Sequence, residues 1–304
     1  MLKRILRRIA SEMRRVYKLL AMLFPNVVLK ILADEALRFR HSLHDIVRHR
    51  EAKANREITP EIVSQQTNNK LKREVLNHRT SWSDLNVPKC PVPSMLTKDE
   101  MRYYHYITQF YTGAGAVIEI GPWLGSSTYN IVGGLLENPA FNKEQKLYVF
   151  DDFIWRSSWM DKWLVNTGIE KPNHLDSFLP LFHEMTQQYA NHIDAKAMKL
   201  LDTGDNADVP WFSWDNGPVE LCIVDCGRAL MMNETWYQAL EPYFIPDRTI
   251  IVMQDWQNFK NVPEAFWENT KIFTDSKQQH LDLIHELRNS GTASFIYRGQ
   301  GNQV

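Results

Sequence analysis

From about residue 95 onward, short apolar runs alternate with amphipathic stretches. Short, largely apolar runs of five or six residues at 116–120, 146–150, 197–201, 219–224, 249–253 and 293–297 have the length of buried strands. Between them the spacing predicts helices over 126–137, about 174–193, 233–240 and 276–289. Thr97-x-x-Glu100 is a capping-box signature, and a helix should run from it to about Tyr111. Strands that alternate with helices predict an α/β domain over 95–304 with a doubly wound, mostly parallel sheet covered on both faces.

The preceding 94 residues have a different pattern. Leu2, Ile5, Leu6, Ile9, Met13, Val16 and Leu20 recur at close to helical spacing, which predicts a helix ending near Pro25. Ten basic and three acidic residues fall in the first forty, a local balance of +7 in a chain whose total is −1. The extension 1–94 is therefore expected to hold a basic amphipathic helix over about 1–24, suited to an anionic membrane surface or a partner subunit. No aromatic stacking positions are interleaved, so nucleic acid is not an expected partner. Val87-Pro88-Lys89-Cys90-Pro91-Val92-Pro93 is a stiff connector, and the domain boundary is placed after it. Leu19 to Phe24 is far too short to span a bilayer. Three scattered cysteines (Cys90, Cys222, Cys226) form no disulfide framework. A cytoplasmic location, peripheral on a membrane at most, is expected.

The chemistry-bearing segment is Glu119-Ile120-Gly121-Pro122-Trp123-Leu124-Gly125-Ser126. A strand with an acid near its end runs into a glycine turn and then a helix. Glycine permits φ > 0, and ligands of open α/β sheets bind beyond the carboxyl ends of the strands. Ser126 or Ser127 could cap the helix or touch a ligand. The spacing Gly-x-x-x-Gly is not the Gly-x-Gly-x-x-Gly of dinucleotide enzymes. With Ser126-Ser127-Thr128 following, the segment resembles motif I of class I S-adenosylmethionine-dependent methyltransferases, particularly small-molecule O-methyltransferases. The resemblance spans roughly 95–298. It implies a Rossmann-like fold, S-adenosyl-L-methionine as cofactor, and a cofactor loop containing Glu119, Gly121, Pro122, Gly125 and Ser126.

The same resemblance implies that Asp151, or alternatively Asp152, accepts the ribose hydroxyls, and that Asp205 in Asp202-Thr203-Gly204-Asp205-Asn206 contacts the adenine. Asp225 and Asp255 end two further apolar runs. In a doubly wound sheet such tips are neighbours, and paired hard oxygens suit Mg²⁺. They are the candidate catalytic and metal-binding acids. Metal-dependent O-methyltransferases carry an Asp-Gly-x-His-like segment at the first of these tips. Here it is Asp225-Cys226-Gly227-Arg228, with a cation where the histidine would stand. Trp155, Trp159 and Trp163, at i, i+4 and i+8, are expected to share one helix face.

Together these features predict methyl transfer to a hydroxyl of a small molecule or a surface-glycan sugar. Two other functions remain open at this level. One is a degenerate methyltransferase-like binding or assembly module in a membrane-associated glycan pathway. The other is a glycosyltransferase, suggested by the adjacent Asp151-Asp152 pair.

Overall fold

The computed structural model describes residues 85–142, 144–226, 228–260, 267–287 and 290–299. The expected basic helix over 1–24 lies outside them. Helix α1 (Lys98–Ile107) begins with the full capping box: Glu100 N–H donates to Thr97 Oγ1, and Thr97 N–H to the Glu100 carboxylate. Strand β1 (Ala116–Ile120), helix α2 (Ser126–Glu137) and strand β2 (Leu147–Asp151) follow. After the short helices α3 (Ser157–Met160) and α4 (Leu179–Met185) come β3 (Ile193–Ala197) and β4 (Val219–Val224). Helix α5 (Leu230–Leu240), β5 (Ile250–Met253), α6 (Glu268–Ser276), β6 (Leu281–Glu286) and β7 (Ala293–Tyr297) complete the domain.

The strands form one sheet in the order β3-β2-β1-β4-β5-β7-β6. β1 to β5 pair in parallel, and β7 lies antiparallel to both β5 and β6. This is the expected doubly wound, mostly parallel, Rossmann-like sheet. Its apolar runs are continuous because both faces are covered. Along β4, Leu221 and Ile223 join one core cluster with α1 and α2, while Cys222 and Val224 join the other with α5 and α6. The strand order reverses between β1 and β4, which opens a crevice at the carboxyl ends of those two strands. The connector does not stand apart from this body: Val92 is buried in the core cluster, with Leu85 and Cys90 packed against it. No helix among the described residues is long and apolar enough to cross a membrane.

Four expectations are corrected. The segment expected as a helix over 276–289 contains strand β6. A register shift between Leu283 and His285 turns Leu281 and Ile284 to the interior, so a bulge reproduces the i, i+3 spacing of a helix. The third strand is 193–197 rather than 197–201, because Ile193 to Ala197 pair with β2. The expected long helix over 174–193 is α4 followed by a 3₁₀ segment broken at Tyr189. Trp155, Trp159 and Trp163 do not share a helix face. Trp155 precedes α3 and is fully buried, with its indole N–H donating to Asp161 Oδ1 at 2.8 Å.

Candidate functional site

The tips of the parallel strands are held in register by backbone hydrogen bonds that continue past the strand ends. Met198 N–H donates to Asp151 O, Gly121 N–H to Phe150 O, Asp225 N–H to Ile120 O and Gln254 N–H to Val224 O, all at 2.8–2.9 Å. Side chains leaving these tips therefore meet over one cavity of about 430 Å³. Gly121, Asp151, Asp152, Asp225 and Asp255 line it together. The backbone there is strained: Trp123, Phe153 and Asp255 hold φ of 46°, 52° and 62°, and each follows a different strand. Non-glycine residues with left-handed backbone concentrate at functional sites.

The glycine turn is shaped by the protein itself. Gly121 has φ 87°, and a Cβ there would sit 2.6 Å from the Asp225 carbonyl oxygen. Gly125 has φ 93°, and its Cβ would sit 2.4 Å from Thr186 Cγ2. Close approach at Gly125 thus comes from Thr186 and Phe182 rather than from the cavity. Pro122 closes the turn by accepting a hydrogen bond from Gly125 N–H at 2.9 Å. Ser126, expected at a ligand, is buried, and its hydroxyl donates to Ser94 Oγ at 2.8 Å. Neither Pro122, Gly125 nor Ser126 lines the cavity.

Glu119 lies behind the turn, fully buried. One carboxylate oxygen accepts from Thr128 Oγ1 at 2.6 Å, and the other meets no donor in hydrogen-bond geometry among the described residues, although the Ser127 hydroxyl is close enough to offset part of the burial. Burial pushes its pKa up to about 7.

At the β2 tip the two acids have separate roles. Asp152 is committed to Arg156, which donates to both its oxygens at 3.0 and 2.6 Å, and to Asn206 Nδ2 at 3.0 Å. Burial opposes its ionisation, but these partners outweigh it and hold the carboxyl below its usual range. Oδ1 of Asp151 accepts from Phe153 N–H at 2.8 Å, and the Asp152 carboxyl lies alongside. Burial, then the neighbouring Asp152, pushes its pKa up. Asp151 thus has an uncommitted edge for a ligand. Asp205 also binds Arg156, through Nε and Nη2 at 3.2 and 3.1 Å, and does not line the cavity.

Across the crevice, Asp225 takes no hydrogen bond through its side chain from any described residue. Burial, then Asp255, raises its pKa well above the usual range. Asp255 is occupied. Its Oδ2 accepts from Arg228 Nε and Nη2 at 3.0 and 2.7 Å, and its Oδ1 from Asn258 Nδ2 at 2.9 Å. Among the described residues no group of three His, Cys, Asp or Glu side chains is arranged to hold a metal ion. These residues do not fit the expected Mg²⁺: the guanidinium of Arg228 already supplies the positive charge, and Asp255 already accepts three hydrogen bonds from Arg228 and Asn258. Arg156, Asn206 and Gln254 also line the cavity, as do the half-exposed Trp159 and Trp163. The tryptophan spacing and the 202–206 segment point to Trp159, Trp163 and Asn206, whereas Arg156 and Gln254 carry no motif of their own. For Arg156, the only signal was its place four residues after Asp152.

No protein-family model matches the chain, and no curated protein matches it. Solved structures similar to it include a putative O-methyltransferase from Klebsiella pneumoniae, at 12% identity and a TM-score of 0.45, covering 79% of this chain and 94% of that one. An O-methyltransferase from Bacillus cereus in complex with SAH aligns at 11% identity and 0.43, over 77% and 93%. TomG from Streptomyces achromogenes, an O-methyltransferase of tomaymycin synthesis in complex with SAM, aligns at 13% and 0.40, over 75% and 90%. At such identities and scores the chemistry of this chain is read from its own residues.

Proposed function

We propose that the chain binds S-adenosylmethionine and transfers its methyl group to a hydroxyl of a small molecule or a surface-glycan sugar. The observation that carries this reading is the convergence of Gly121, Asp151 and Asp225 on one cavity at the point where the strand order reverses. The open carboxylate edge of Asp151 suits a ribose diol. Ile120, Met198, Leu200 and Leu201 line the same cavity and offer apolar surface to a purine. When bound, the cofactor supplies an electrophilic methyl group, so the chain's task is to align and deprotonate an oxygen nucleophile. Asp225, uncommitted and facing the cavity, is the residue suited to take that proton. Burial and the neighbouring Asp255 raise its pKa, which makes its ionised form a stronger proton acceptor. No step requires a metal.

A calorimetric titration of the full chain with S-adenosylmethionine, S-adenosylhomocysteine and a nucleotide sugar tests this reading. Binding of the first two and not the third is expected. Binding of the nucleotide sugar alone would favour the glycosyltransferase. Cofactor binding with no turnover across hydroxylated acceptors would favour the degenerate module.

A further inference from the structure

Two arginines line the cavity, and they differ in what they have left to offer. Arg156 is saturated. Nη1 donates to Asp152 Oδ1 and Ile154 O, Nη2 to Asp152 Oδ2 and Asp205 Oδ1, and Nε to Asp205 Oδ2. These bonds use all five guanidinium N–H groups on two carboxylates and a carbonyl. Arg228 is not saturated. Nε and one N–H of Nη2 converge on a single oxygen, Asp255 Oδ2. Both N–H groups of Nη1 and the second of Nη2 meet no acceptor among the described residues. The side chain is 50% exposed and lines the cavity.

Arg228 is also held in place. Its guanidinium carbon lies 5.1 Å from the centroid of the Trp267 ring, and its backbone is fixed by Arg228 N–H to Cys226 O at 2.9 Å and by Asn269 Nδ2 to Arg228 O at 3.1 Å. An arginine clamped by a carboxylate on one edge and an aromatic ring near its face presents its remaining edge as a rigid fork. Such a fork matches the paired oxygens of a carboxylate or phosphate. The Arg228–Asp255 pair is formally neutral, and the Asp225 side chain takes no hydrogen bond from Arg228. Its neighbours therefore leave the fork free to take a negative group.

We infer that Arg228 is the recognition group for an oxyanion, a carboxylate or phosphate carried by the methyl acceptor. This inference names the acceptor class within the proposed methyl transfer and rests on that reading. The acceptor would enter with its anionic group on Arg228 and its hydroxyl toward Asp225.

The test uses the full chain without cofactor, titrated separately with inorganic phosphate and with acetate. Wild type should bind at least one of them, and the stronger of the two identifies the oxyanion. Arg228→Gln should weaken that binding about tenfold or more, and Arg228→Lys should restore part of it. Arg102→Gln, a surface control, should change nothing. A second readout needs no variant. Phenylglyoxal should modify Arg228 in the wild-type chain, and phosphate or acetate should protect it. Equal binding by wild type and Arg228→Gln, absence of binding by wild type, or modification unaffected by either anion would overturn the inference. Binding of S-adenosylhomocysteine is measured separately, so loss of one result leaves the other standing.

Discussion

Glu119 carries an unusual charge problem. It is fully buried, and one oxygen meets no hydrogen-bond donor among the described residues. Folding raises its pKa from 4.5 to about 7, so over that interval the native state keeps a proton that the unfolded chain releases. Its contribution to stability is full below pH 4.5 and falls as the pH rises to about 7, after which it is constant. At about 1.4 kcal/mol per pH unit, the interval corresponds to a loss of about 3 kcal/mol. Glu119→Gln removes the titration and keeps an acceptor for Thr128. Between about pH 4.5 and pH 8 the stability of the variant relative to wild type should therefore rise by up to about 3 kcal/mol. Denaturant unfolding of both proteins across that range measures it, and a pH-independent difference would contradict it. The position and acidity of Glu119 were legible in the sequence, but its burial was not. Strand alternation turns it toward α2, and that direction depends on the register of the whole sheet.

At the scale of elements, the glycine turn was readable because its constraints are local. β1, α2 and the capping box of α1 fall where spacing places them, since each is fixed by residues within a few positions. β6 was misread because its bulge brings Leu281 and Ile284 onto one face. That spacing becomes a strand only through pairing with β7 across the chain. The role of Gly125 was likewise only half visible. The turn needs its positive φ, but the close contact comes from Thr186, 61 positions away (186 − 125). Gly125→Ala should cost about 1–2 kcal/mol for the left-handed backbone and about 1–3 kcal/mol for overpacking against Thr186. Adding Thr186→Ser, which deletes Cγ2 and keeps the hydroxyl bonded to Phe182 O, should recover the second part alone. Thermal or denaturant melts of the single and double variants check this. Equal stability of Gly125→Ala and Gly125→Ala/Thr186→Ser would show that the contact carries no strain.

For the whole molecule, charge is distributed unevenly. The first forty residues carry +7 in a chain of −1, so residues 41–304 together carry −8. We propose that residues 1–24 attach the chain reversibly to an anionic surface. Each basic residue near such a surface contributes about 1 kcal/mol, screened within a Debye length of about 8 Å. Deleting residues 1–24 should abolish cosedimentation with phosphatidylserine vesicles at low salt and leave cofactor affinity intact. Equal sedimentation of full-length and truncated chains would exclude that role.

The central claim is that the cavity at the strand tips is a cofactor site with Asp151 as its diol acceptor. It is tested most directly by calorimetric titration of wild type and Asp151→Ala with S-adenosylhomocysteine. Above about pH 8, where Asp151 is ionised, a hydrogen bond to its charged carboxylate contributes about 1.5–3 kcal/mol. The account therefore predicts saturable one-site binding by wild type and a loss of about ten- to a hundredfold in a folded Asp151→Ala variant. No binding by wild type, or equal affinity in the two proteins, would contradict it.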